Sequence, residues 1–288
     1  WPVAVLGWMT SIVQQAEASQ NRINEFLKEE PEIKNNTESK TLISGDINFK
    51  NVSFTYDDTN ITALKNISFE LKQGKTLAIL GMTGAGKSTI INLIARLYDA
   101  SEGSITIGNQ NITKLNLDNL RQSIGFVPQD AFLFSDTIEN NILFGDENAT
   151  SEMVIQAAKD AYIDHNISEF KEDYQTFVGE RGVTLSGGQK QRVSIARALI
   201  KNPEILILDD CLSAVDTETE EIILKNLERV NKNRTTIIVS HRVSSIKHAD
   251  TIIILDKGKI IQKGTHAELS EIKGFYKDLY EQQLLEES

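Results

Sequence analysis

The sequence has 288 residues, of which 40% are hydrophobic and 25% charged, a balance typical of a soluble globular protein with one large or two small domains. A net charge of −11 argues against a nucleic-acid-binding surface, because the phosphate backbone selects basic patches. The single cysteine, Cys211, excludes an internal disulfide, and the sequence has no cluster of cysteine and histidine residues with metal-ligand spacing.

The N-terminal residues 1–27 are predicted to be helical. Their start is apolar, and a helical stripe continues at Ile12, Ala16, Ser19, Ile23 and the pair Phe26 and Leu27. About 13 apolar residues span only ~20 Å as a helix, whereas a membrane crossing needs ~20 residues. By themselves, these residues fit the end of a transmembrane helix and an ordinary amphipathic helix equally well. The chain starts at Trp1 rather than Met, so we expect it to be a piece of a longer protein. It has no signal-peptide pattern with a basic start.

The residues after this helix predict a linker and then an antiparallel sheet. Residues 28–44 are polar and contain Pro31, which predicts a linker with a domain boundary near Thr41 and divides the chain into 1–40 and 41–288. Beyond the boundary, apolar residues alternate with polar ones, as in strands with one buried face. The alternation shifts by one residue between the first two runs, which predicts a bulge or a bend. The runs are Ile47 with Phe49, then Val52 with Phe54 and Tyr56, and then Ile67 with Phe69 and Leu71.

Residues 81–89 read GMTGAGKST and match the pattern G-x-x-x-x-G-K-S of a phosphate-binding loop. An apolar run of strand length, 76–80, precedes the loop, and apolar residues at helical spacing follow it up to Leu97. The loop therefore joins a buried strand to a helix N-terminus, where backbone N–H groups and the helix dipole favour an anion. A chance glycine-rich turn is the alternative, and the flanking strand and helix argue against it.

Each residue type in this loop suits a bound nucleotide. Glycine lets the backbone approach phosphate oxygens, Lys87 can reach the β- and γ-phosphates, and the Ser88 hydroxyl can ligate Mg²⁺. The predicted phosphate-binding residues are Gly81, Met82, Thr83, Gly84, Ala85, Gly86, Lys87, Ser88 and Thr89.

Four further elements are predicted between the loop and residue 200. The stretches 105–107 and 124–127 have the composition of short strands, the second of which Pro128 stops. Residues 150–170 have a mostly helical pattern. A second helix is expected to open at residues 186–188 and to run to about Ile200.

The remaining chain is predicted to hold strands and a final helix. Residues 205–208 and 236–239 have no polar face, so helices should cover both sides of these strands. Residues 251–255 and 259–262 predict a hairpin. A polar helix is expected from residue 266 to the end.

Two carboxylates, Asp209 and Asp210, follow directly after the apolar run 205–208. Ligands of parallel α/β sheets lie beyond the carboxyl ends of the strands. Two acids there cost desolvation unless they meet a cation, and Mg²⁺ shared with Ser88 and the phosphates would supply it. Asp209 is the expected metal partner, and Asp210 is expected to orient or deprotonate an attacking water. The alternative is an acidic helix cap after a buried strand, and the presence of the phosphate loop in the same sequence disfavours it.

A third motif, Leu185-Ser-Gly-Gly-Gln189, lies between the phosphate loop and the acidic strand end. With these three motifs in this order, the sequence resembles the nucleotide-binding domain of ATP-binding cassette (ABC) transporters from about Gly45 to the C-terminus. The resemblance implies an α/β fold of the P-loop NTPase type, with a mostly parallel sheet flanked by helices. It also implies an antiparallel β subdomain and a helical subdomain at about 130–200.

Further residues match elements of the family, and their roles are what the resemblance implies. Tyr56 resembles the aromatic residue that stacks on adenine, although it could simply be a core residue at a strand end. Gln129 resembles the glutamine that contacts Mg²⁺ and the lytic water, and His241 resembles the switch histidine that contacts the γ-phosphate. The segment 213–216 resembles the loop that crosses the dimer interface. The remaining histidines, His165, His248 and His266, match no element and are expected to be solvated.

In this family the motif at Leu185–Gln189 is called the signature. Two domains pack head to tail, and ATP bound to the phosphate loop of one domain is covered by the signature of the other. Ser186, Gly187, Gly188 and Gln189 would thus contact the partner's ATP. A helix N-terminus at the signature is a second anion site, which suits one ligand held between two chains. The partner is therefore a second nucleotide-binding domain, identical or not, and closing and opening of the pair would drive membrane helices between two states.

Three features resemble the exporters of the family: residues 132–135, residues 138–142, and Arg181 within 177–182. The stretch 1–27 then resembles the cytoplasmic end of the last transmembrane helix of a half-transporter. The resemblance implies a soluble piece of an integral membrane protein at the cytoplasmic face of the cell membrane, with a transmembrane domain in the same chain and no nucleic-acid partner. An importer ATPase subunit and a soluble ABC ATPase are the alternatives. The exporter features and the stretch 1–27 disfavour the importer subunit, and the sequence shows none of the long heptads, second cassette or basic surface expected of the soluble ATPase.

The sequence departs from the family at Asp210, where the family normally has glutamate. Aspartate withdraws the carboxylate by about 1.5 Å, the length of one carbon–carbon bond. Misplacement by about 1 Å can cost ~10²-fold in rate. We therefore expect a site that binds ATP and hydrolyses it slowly, while the other motifs are intact.

Overall fold

The computed structural model describes residues 1–230 and 234–286. The chain forms two compact units, Trp1–Lys34 and Asn35–Ser288. The first unit is built on one helix, α1 (Pro2–Lys28), with proline in its first turn, where no intrahelical N–H bond is lost. None of its residues is buried within that unit. The predicted helix is confirmed, and its link to a membrane stays a prediction.

Among the helices in the described part of the chain, none has the length and the apolar character that a membrane span requires.

The second unit opens with residues that the sequence assigns to the linker. Asn35 Oδ1 accepts a hydrogen bond from Leu117 N at 3.1 Å. The Thr37 carbonyl accepts one from Asn116 Nδ2 at 2.7 Å. These residues therefore pack on the body of the second unit, and the domain boundary near Thr41 stays a prediction.

Ten strands make up two sheets in the described residues of the second unit. The strands are β1 (Ile47–Tyr56), β2 (Ile61–Leu71), β3 (Thr76–Gly81), β4 (Glu102–Ile107), β5 (Gln110–Asn111), β6 (Ile124–Val127), β7 (Ile205–Asp209), β8 (Thr235–Val239), β9 (Thr251–Asp256) and β10 (Lys259–Gly264). The first sheet has the order β2-β1-β4-β5 and is antiparallel, which confirms the predicted β layer. The register of β1 shifts between Phe49 and Val52, so the predicted bulge is present.

The second sheet has the order β10-β9-β3-β8-β7-β6, and all of its pairs are parallel except the one at the β10 edge. Alternate residues of β3 enter two different cores. Leu77 and Ile79 pack with the antiparallel sheet and α2 (Lys87–Ile94), while Ala78 and Leu80 pack on the opposite face. Both faces of the strand are thus covered, as its unbroken apolar sequence requires.

The other helices in the described residues are α3 (Leu117–Ser123), α4 (Ile138–Leu143), α5 (Ser151–Asp160), α6 (Asp164–Ile167), α7 (Gly187–Ile200), α8 (Thr217–Val230), α9 (His266–Glu271) and α10 (Phe275–Glu286). Residues of α5, α7 and α8 form much of the core on the second face of the parallel sheet. The fold is α/β with one mixed and one antiparallel sheet, as predicted. The helical subdomain expected at about 130–200 contains α4 to α7 and stays a prediction as a separate unit.

Three helix boundaries differ from the sequence prediction. The helix expected at 150–170 breaks after α5, where Tyr162 has a left-handed φ of 54°. The predicted final helix is divided into α9 and α10. At the start of α10, Tyr276 N donates a hydrogen bond to the Gln262 side chain at 3.1 Å. Leu97 lies beyond the end of α2 and is 48% exposed, so it does not belong to that helix's buried face.

Candidate functional site

The predicted phosphate loop wraps the N-terminus of α2. Gly86 is the N-cap residue with a left-handed φ of 105°, and a Cβ there would lie 2.7 Å from the Ala63 carbonyl oxygen. Only glycine therefore fits both the conformation and the close approach. The buried Lys87 ammonium donates to the carbonyls of Gly81 at 2.8 Å and Met82 at 3.1 Å, so it spans the loop from inside.

A cleft of about 460 Å³ opens beside this loop and brings most of the predicted site residues together. The predicted residues that line it are Tyr56, Thr83, Gly84, Gly86, Lys87, Ser88, Thr89, Gln129, Asp209, Asp210 and His241. Gly81, Met82 and Ala85 lie outside this lining and shape the loop instead. Gly81 and Met82 accept the Lys87 bonds, and Ala85 is 3% exposed, with its carbonyl accepting from Gly258 N at 3.1 Å.

The cleft holds unlike charges at its floor. Burial raises the pKa of the half-buried Asp209 carboxyl, Asp210 raises it further, and the Lys87 ammonium opposes both. Burial lowers the pKa of Lys87, and the carboxylates of Asp210 and Asp209 oppose that shift. The charged forms of Asp209 and Lys87 therefore support one another, whereas the Asp210 carboxylate favours the charged form of Lys87 and opposes that of Asp209. An added cation beside Asp209 would favour its ionised form.

Asp210 is held in an unusual backbone conformation at the end of β7. Its φ is 45°, in the left-handed region, and its N–H donates to the Val239 carbonyl at 2.8 Å. Gln129 Nε2 lies 3.4 Å from Asp210 Oδ2. The Gln129 carbonyl in turn accepts from Gln191 Nε2 of α7 at 3.2 Å. The backbone carbonyl of Gln129 is therefore bonded to α7, and its side-chain amide lies beside the Asp210 carboxylate.

Tyr56 stands at the end of β1 on the rim of the cleft. Its ring meets Tyr98 edge to face at 5.4 Å, and its hydroxyl lies 3.1 Å from Thr89 Oγ1 in α2. The side chain is half-buried, so it serves the packing of the strand end and also lines the cleft.

The signature residues stand at the N-terminus of α7 and are not among the residues that line the cleft in the described chain. Ser186 and Gln189 form a capping box, in which Gln189 N donates to Ser186 Oγ at 3.3 Å and Ser186 N donates to Gln189 Oε1 at 2.9 Å. A Cβ at Gly188 would lie 3.1 Å from the Ala214 carbonyl. The fold thus places the signature beside the 213–216 segment and outside the cleft of its own chain.

Comparison with known proteins identifies the family. The family model described as "ABC transporter" matches residues 64–213. The chain belongs to the ABC transporter family. It carries the ATP-binding domain of that family.

Individual relatives of this ABC domain are similar over nearly its whole length. The chain is 48% identical over 285 residues to "Uncharacterized ABC transporter ATP-binding protein YknU" of Bacillus subtilis, covering 98% of this chain and 49% of that protein. It is 46% identical over 286 residues to "Multidrug resistance-like ATP-binding protein MdlA" of Escherichia coli, covering 99% of this chain and 48% of that protein. The chain therefore spans about half the length of the curated relatives it matches.

A solved structure, "Structure of a bacterial Atm1-family ABC exporter with ATP bound", superimposes with a TM-score of 0.91 at 40% identity. The match covers 97% of this chain and 49% of the solved one. The predicted family and fold class are confirmed.

The ABC domain has cleft residues that the sequence analysis missed. They are Ile61, Thr62, Ala63, Lys65, Val239, Lys257 and Gly258. The turn at Gly258 joins the cleft because its carbonyl accepts from Lys65 N at 2.8 Å, and a Cβ on this glycine would lie 2.5 Å from the Ala63 carbonyl. The hairpin was predicted, but its long-range contact with β2 leaves no local sequence signal.

The three remaining histidines of the ABC domain differ in their surroundings. His165 and His248 are exposed, as expected. The expectation that His266 is solvated is wrong, because its Nδ1 lies 2.7 Å from the hydroxyl of the fully buried Tyr276. Burial lowers the pKa of His266, and the nearby Lys247 and His248 lower it further.

A second groove, of about 320 Å³, exposes apolar side chains among basic ones. Its lining includes Leu97, Arg121, Phe126, Phe144, Arg197 and Lys201. Phe126 and Phe144 are 37% and 58% exposed. The Arg197 guanidinium lies 5.7 Å from the Phe144 ring centre and donates to the Asn141 carbonyl at 2.7 Å. Burial lowers the pKa of Arg197 to about 10.

Proposed function

We propose that this chain binds ATP in the cleft beside residues 81–89 and hydrolyses it to power export across a membrane. The observation that carries the proposal is the convergence of the phosphate loop, Gln129, the Asp209–Asp210 pair and His241 on one cleft. A similar solved structure, named as an ABC exporter with ATP bound, supports the identity of the nucleotide.

Each part of the cleft suits one part of ATP. The exposed N-terminal end of α2 and the glycine-rich loop provide backbone N–H groups for the phosphates. The Lys87 ammonium, which donates to two backbone carbonyls in this structure, would exchange these hydrogen bonds for bonds to phosphate oxygens when ATP binds. The half-buried ring of Tyr56 at the rim provides a face on which adenine could stack.

The residues present fit Mg²⁺. This ion prefers oxygen donors and is usually held by one or two carboxylates together with substrate phosphates. Ser88, Gln129 and Asp209 offer a hydroxyl, an amide and a carboxylate on the same cleft. The raised pKa of Asp209, caused first by burial and then by Asp210, is the situation that a bound cation would relieve. When bound, Mg²⁺ would neutralise charge on the phosphates.

The chain's own residues then account for hydrolysis. Asp210 is the proposed base that takes a proton from the attacking water, and Gln129, 3.4 Å from its carboxylate, orients that water. The exposed imidazole of His241, which also lines the cleft, contacts the γ-phosphate as charge develops there. A short carboxylate at position 210 makes the step slow.

The signature points to a second copy of the domain. Ser186, Gly187, Gly188 and Gln189 open a helix whose first N–H groups have no intrahelical acceptor. They are outside the cleft lining of their own chain, so a bound phosphate would reach them only from a partner. A head-to-tail pair would place each signature over the other chain's ATP.

The apolar groove near Phe144 is the proposed contact with the transmembrane domain of the same protein. The chain spans about half of relatives that include one named as an ATP-binding/permease protein, which fits an attached permease part. Exposed aromatic side chains beside a half-buried guanidinium form the kind of apolar centre with a charged rim that protein contacts use. The full protein would then be an integral membrane protein with this domain at the cytoplasmic face. Phe144→Asp in the full-length protein should uncouple ATP hydrolysis from transport, and unchanged coupling would exclude this surface.

Steady-state hydrolysis of MgATP by the 288-residue chain over a wide protein concentration tests the activity. We expect the rate per molecule to rise with concentration and to vanish in Asp210→Asn. ATP binding without turnover at any concentration would contradict hydrolysis by a homodimer and would direct the search to a partner that carries glutamate.

A mixing experiment tests the head-to-tail arrangement. Lys87→Ala removes the phosphate-loop cation, and Gly187→Asp puts a negative charge at the signature. Aspartate in the first turn favours the helix, so that variant should fold. Each variant alone should be inactive, whereas their mixture should regain hydrolysis because one of its two composite sites is intact. Gly187→Ala is the matched neutral control, and a mixture as inactive as its components would contradict the shared site.

A further inference from the structure

The segment that carries His241 is held by one side chain of the C-terminal helix. Val243 N donates to Gln283 Oε1 at 2.8 Å, and Gln283 Nε2 donates to the His241 carbonyl at 2.9 Å. A single amide therefore bonds the backbone on both sides of Arg242. Both bonds are made by α10, which is far from this segment in sequence.

The position of Gln283 is itself fixed by its helix. Tyr276, Tyr280 and Gln283 recur at helical spacing and so share one face of α10. Tyr276 is fully buried in the core of the second unit, and its hydroxyl lies 2.7 Å from His266 Nδ1. The buried tyrosine anchors the start of the helix, and the half-buried glutamine is presented two turns later.

The same segment is also tied to the turn that carries Asp210. Arg242 Nη1 lies 3.2 Å from Glu220 Oε2, and Glu220 is 1% exposed. Arg242 Nη2 donates to the Ser213 carbonyl at 3.1 Å. Ser213 in turn donates a hydrogen bond from its Oγ to the Asp210 carbonyl at 2.9 Å. The backbone bonds of Gln283 and the side-chain bonds of Arg242 together define where His241 stands relative to Asp210.

We propose that Gln283 is a positioning residue that sets the backbone of the 241–243 segment so that the His241 imidazole faces the γ-phosphate. The inference rests on the proposed role of His241. His241 itself is exposed, so the backbone bonds of its segment, rather than side-chain packing, determine where its ring lies. Loss of these bonds lets the segment shift, and a small shift of a catalytic group is costly in rate.

The test is steady-state ATP hydrolysis by the 288-residue chain with Gln283→Met, which keeps the length of the side chain and removes both hydrogen bonds. We expect kcat to fall about tenfold and the KM for ATP to stay within about twofold, because the bonds act on transition-state contacts and not on the phosphate loop. Leu284→Met, at an exposed neighbouring position of α10, is the matched control and should keep wild-type kcat. Unchanged kcat in Gln283→Met would overturn the proposal.

A double-mutant comparison separates positioning from general stability. In a His241→Ala background, Gln283→Met should lower the remaining rate by less than about twofold, since the group it positions is gone. A fall as large as in the wild-type background would show that Gln283 acts elsewhere and would overturn the proposal. Hydrolysis that is unaffected by His241→Ala would instead contradict the proposed function.

Two further measurements extend the test, and the first of them does not depend on the stability of Gln283→Met. Gln283→Glu retains an acceptor for Val243 N and loses the donor to the His241 carbonyl, and it should also lower kcat at unchanged KM. Amide hydrogen exchange at Val243 should speed up in Gln283→Met and not in Gln283→Glu. Wild-type kcat in Gln283→Glu, or unchanged exchange in Gln283→Met, would overturn the proposal.

Discussion

Gln129 and Asp210 lie side by side in the cleft, with 3.4 Å between the amide nitrogen and a carboxylate oxygen. Hydrogen bonds between nitrogen and oxygen are usually about 2.7–3.2 Å long, so this contact is loose. The two groups come from the end of β6 and the end of β7, which are neighbouring parallel strands. The sheet therefore aligns an amide and a carboxylate at the ends of two neighbouring strands.

Asp210→Glu is expected to increase ATP hydrolysis. The added methylene lets the carboxylate reach about 1.5 Å further from the strand end toward the proposed water, and correct placement of a catalytic group can be worth ~10²-fold. We expect kcat to rise by a factor between about three and ~10² with little change in KM. The left-handed φ of 45° suits aspartate better than glutamate, so the melting temperature should fall slightly. Turnover that is unchanged or lower in Asp210→Glu would show that the short side chain is not what limits the rate.

Two glycines of the loop separate backbone strain from steric overlap. Gly84 and Gly86 both have left-handed φ angles, 79° and 105°. A Cβ at Gly84 meets nothing within 4 Å, whereas one at Gly86 lies 2.7 Å from the Ala63 carbonyl. Gly84→Ala should therefore lower the free energy of unfolding by only about 1–2 kcal/mol, the cost of a left-handed alanine. Gly86→Ala should cost more than about 3 kcal/mol, because overlap with backbone adds to that strain.

Urea unfolding without nucleotide measures both glycine variants on the same scale. Equal losses would mean that β2 moves aside and that the close approach of Gly86 to Ala63 does not constrain the loop.

Local sequence patterns predict the strands and helices of this fold whose buried residues recur at regular spacing. The bulge between Phe49 and Val52, the apolar strand 205–208 and the helix opened by Ser186 all follow from residues close in sequence. Family resemblance then supplied roles for Gln129 and His241 that their local sequence could not. Gln129 and His241 both line the cleft, whereas the signature residues do not.

The features that sequence analysis missed depend on contacts between distant parts of the chain. The turn at Gly258 enters the cleft through its contact with β2, and Gln283 reaches the His241 segment from the last helix. His266 is half-buried and contacts the Tyr276 hydroxyl, although both residues lie in a stretch of polar pattern. Helix α8 has an amphipathic sequence with four glutamates, and its packing on the sheet was not predicted.

Lys87→Met should weaken ATP binding strongly. The ammonium is buried inside the loop, and Lys87 is the first residue of α2, whose N-terminal N–H groups are proposed to bind the phosphates. Charge-assisted bonds to phosphate are worth about 1.5–3 kcal/mol each, so the Kd for ATP should rise by ~10²-fold. Lys257→Met, at the rim of the same cleft, is the matched control and should raise Kd less than about fivefold. Equilibrium binding of a fluorescent ATP analogue measures both. Similar effects of the two variants would indicate that the cleft attracts ATP by its overall charge, without a special role for Lys87.

Acidification should destabilise the ABC domain through His266. Burial, Lys247 and His248 hold the pKa of His266 below its ordinary value of 6.5, so the folded state resists protonation. Burial raises the pKa of Tyr276 to about 12, and the two side chains share a hydrogen bond at 2.7 Å. The unfolded chain takes up a proton as the pH falls through about 6.5, while the folded chain does so only at lower pH. The stability associated with neutral His266 is therefore complete above pH ~6.5 and is lost as the pH falls toward the pKa of the folded state.

Thermal unfolding between pH 5 and pH 8 tests this linkage. The asparagine of His266→Asn offers an oxygen near the position of Nδ1 for the Tyr276 hydroxyl and does not titrate, so the melting temperature of this variant should fall less on acidification than that of the wild type. His165→Asn, at an exposed histidine, controls for the loss of one titrating group and should follow the wild-type curve. If His266→Asn and the wild type lose equal stability between pH 7.5 and pH 5.5, then other groups govern the acid response, and the bond between His266 and Tyr276 survives protonation.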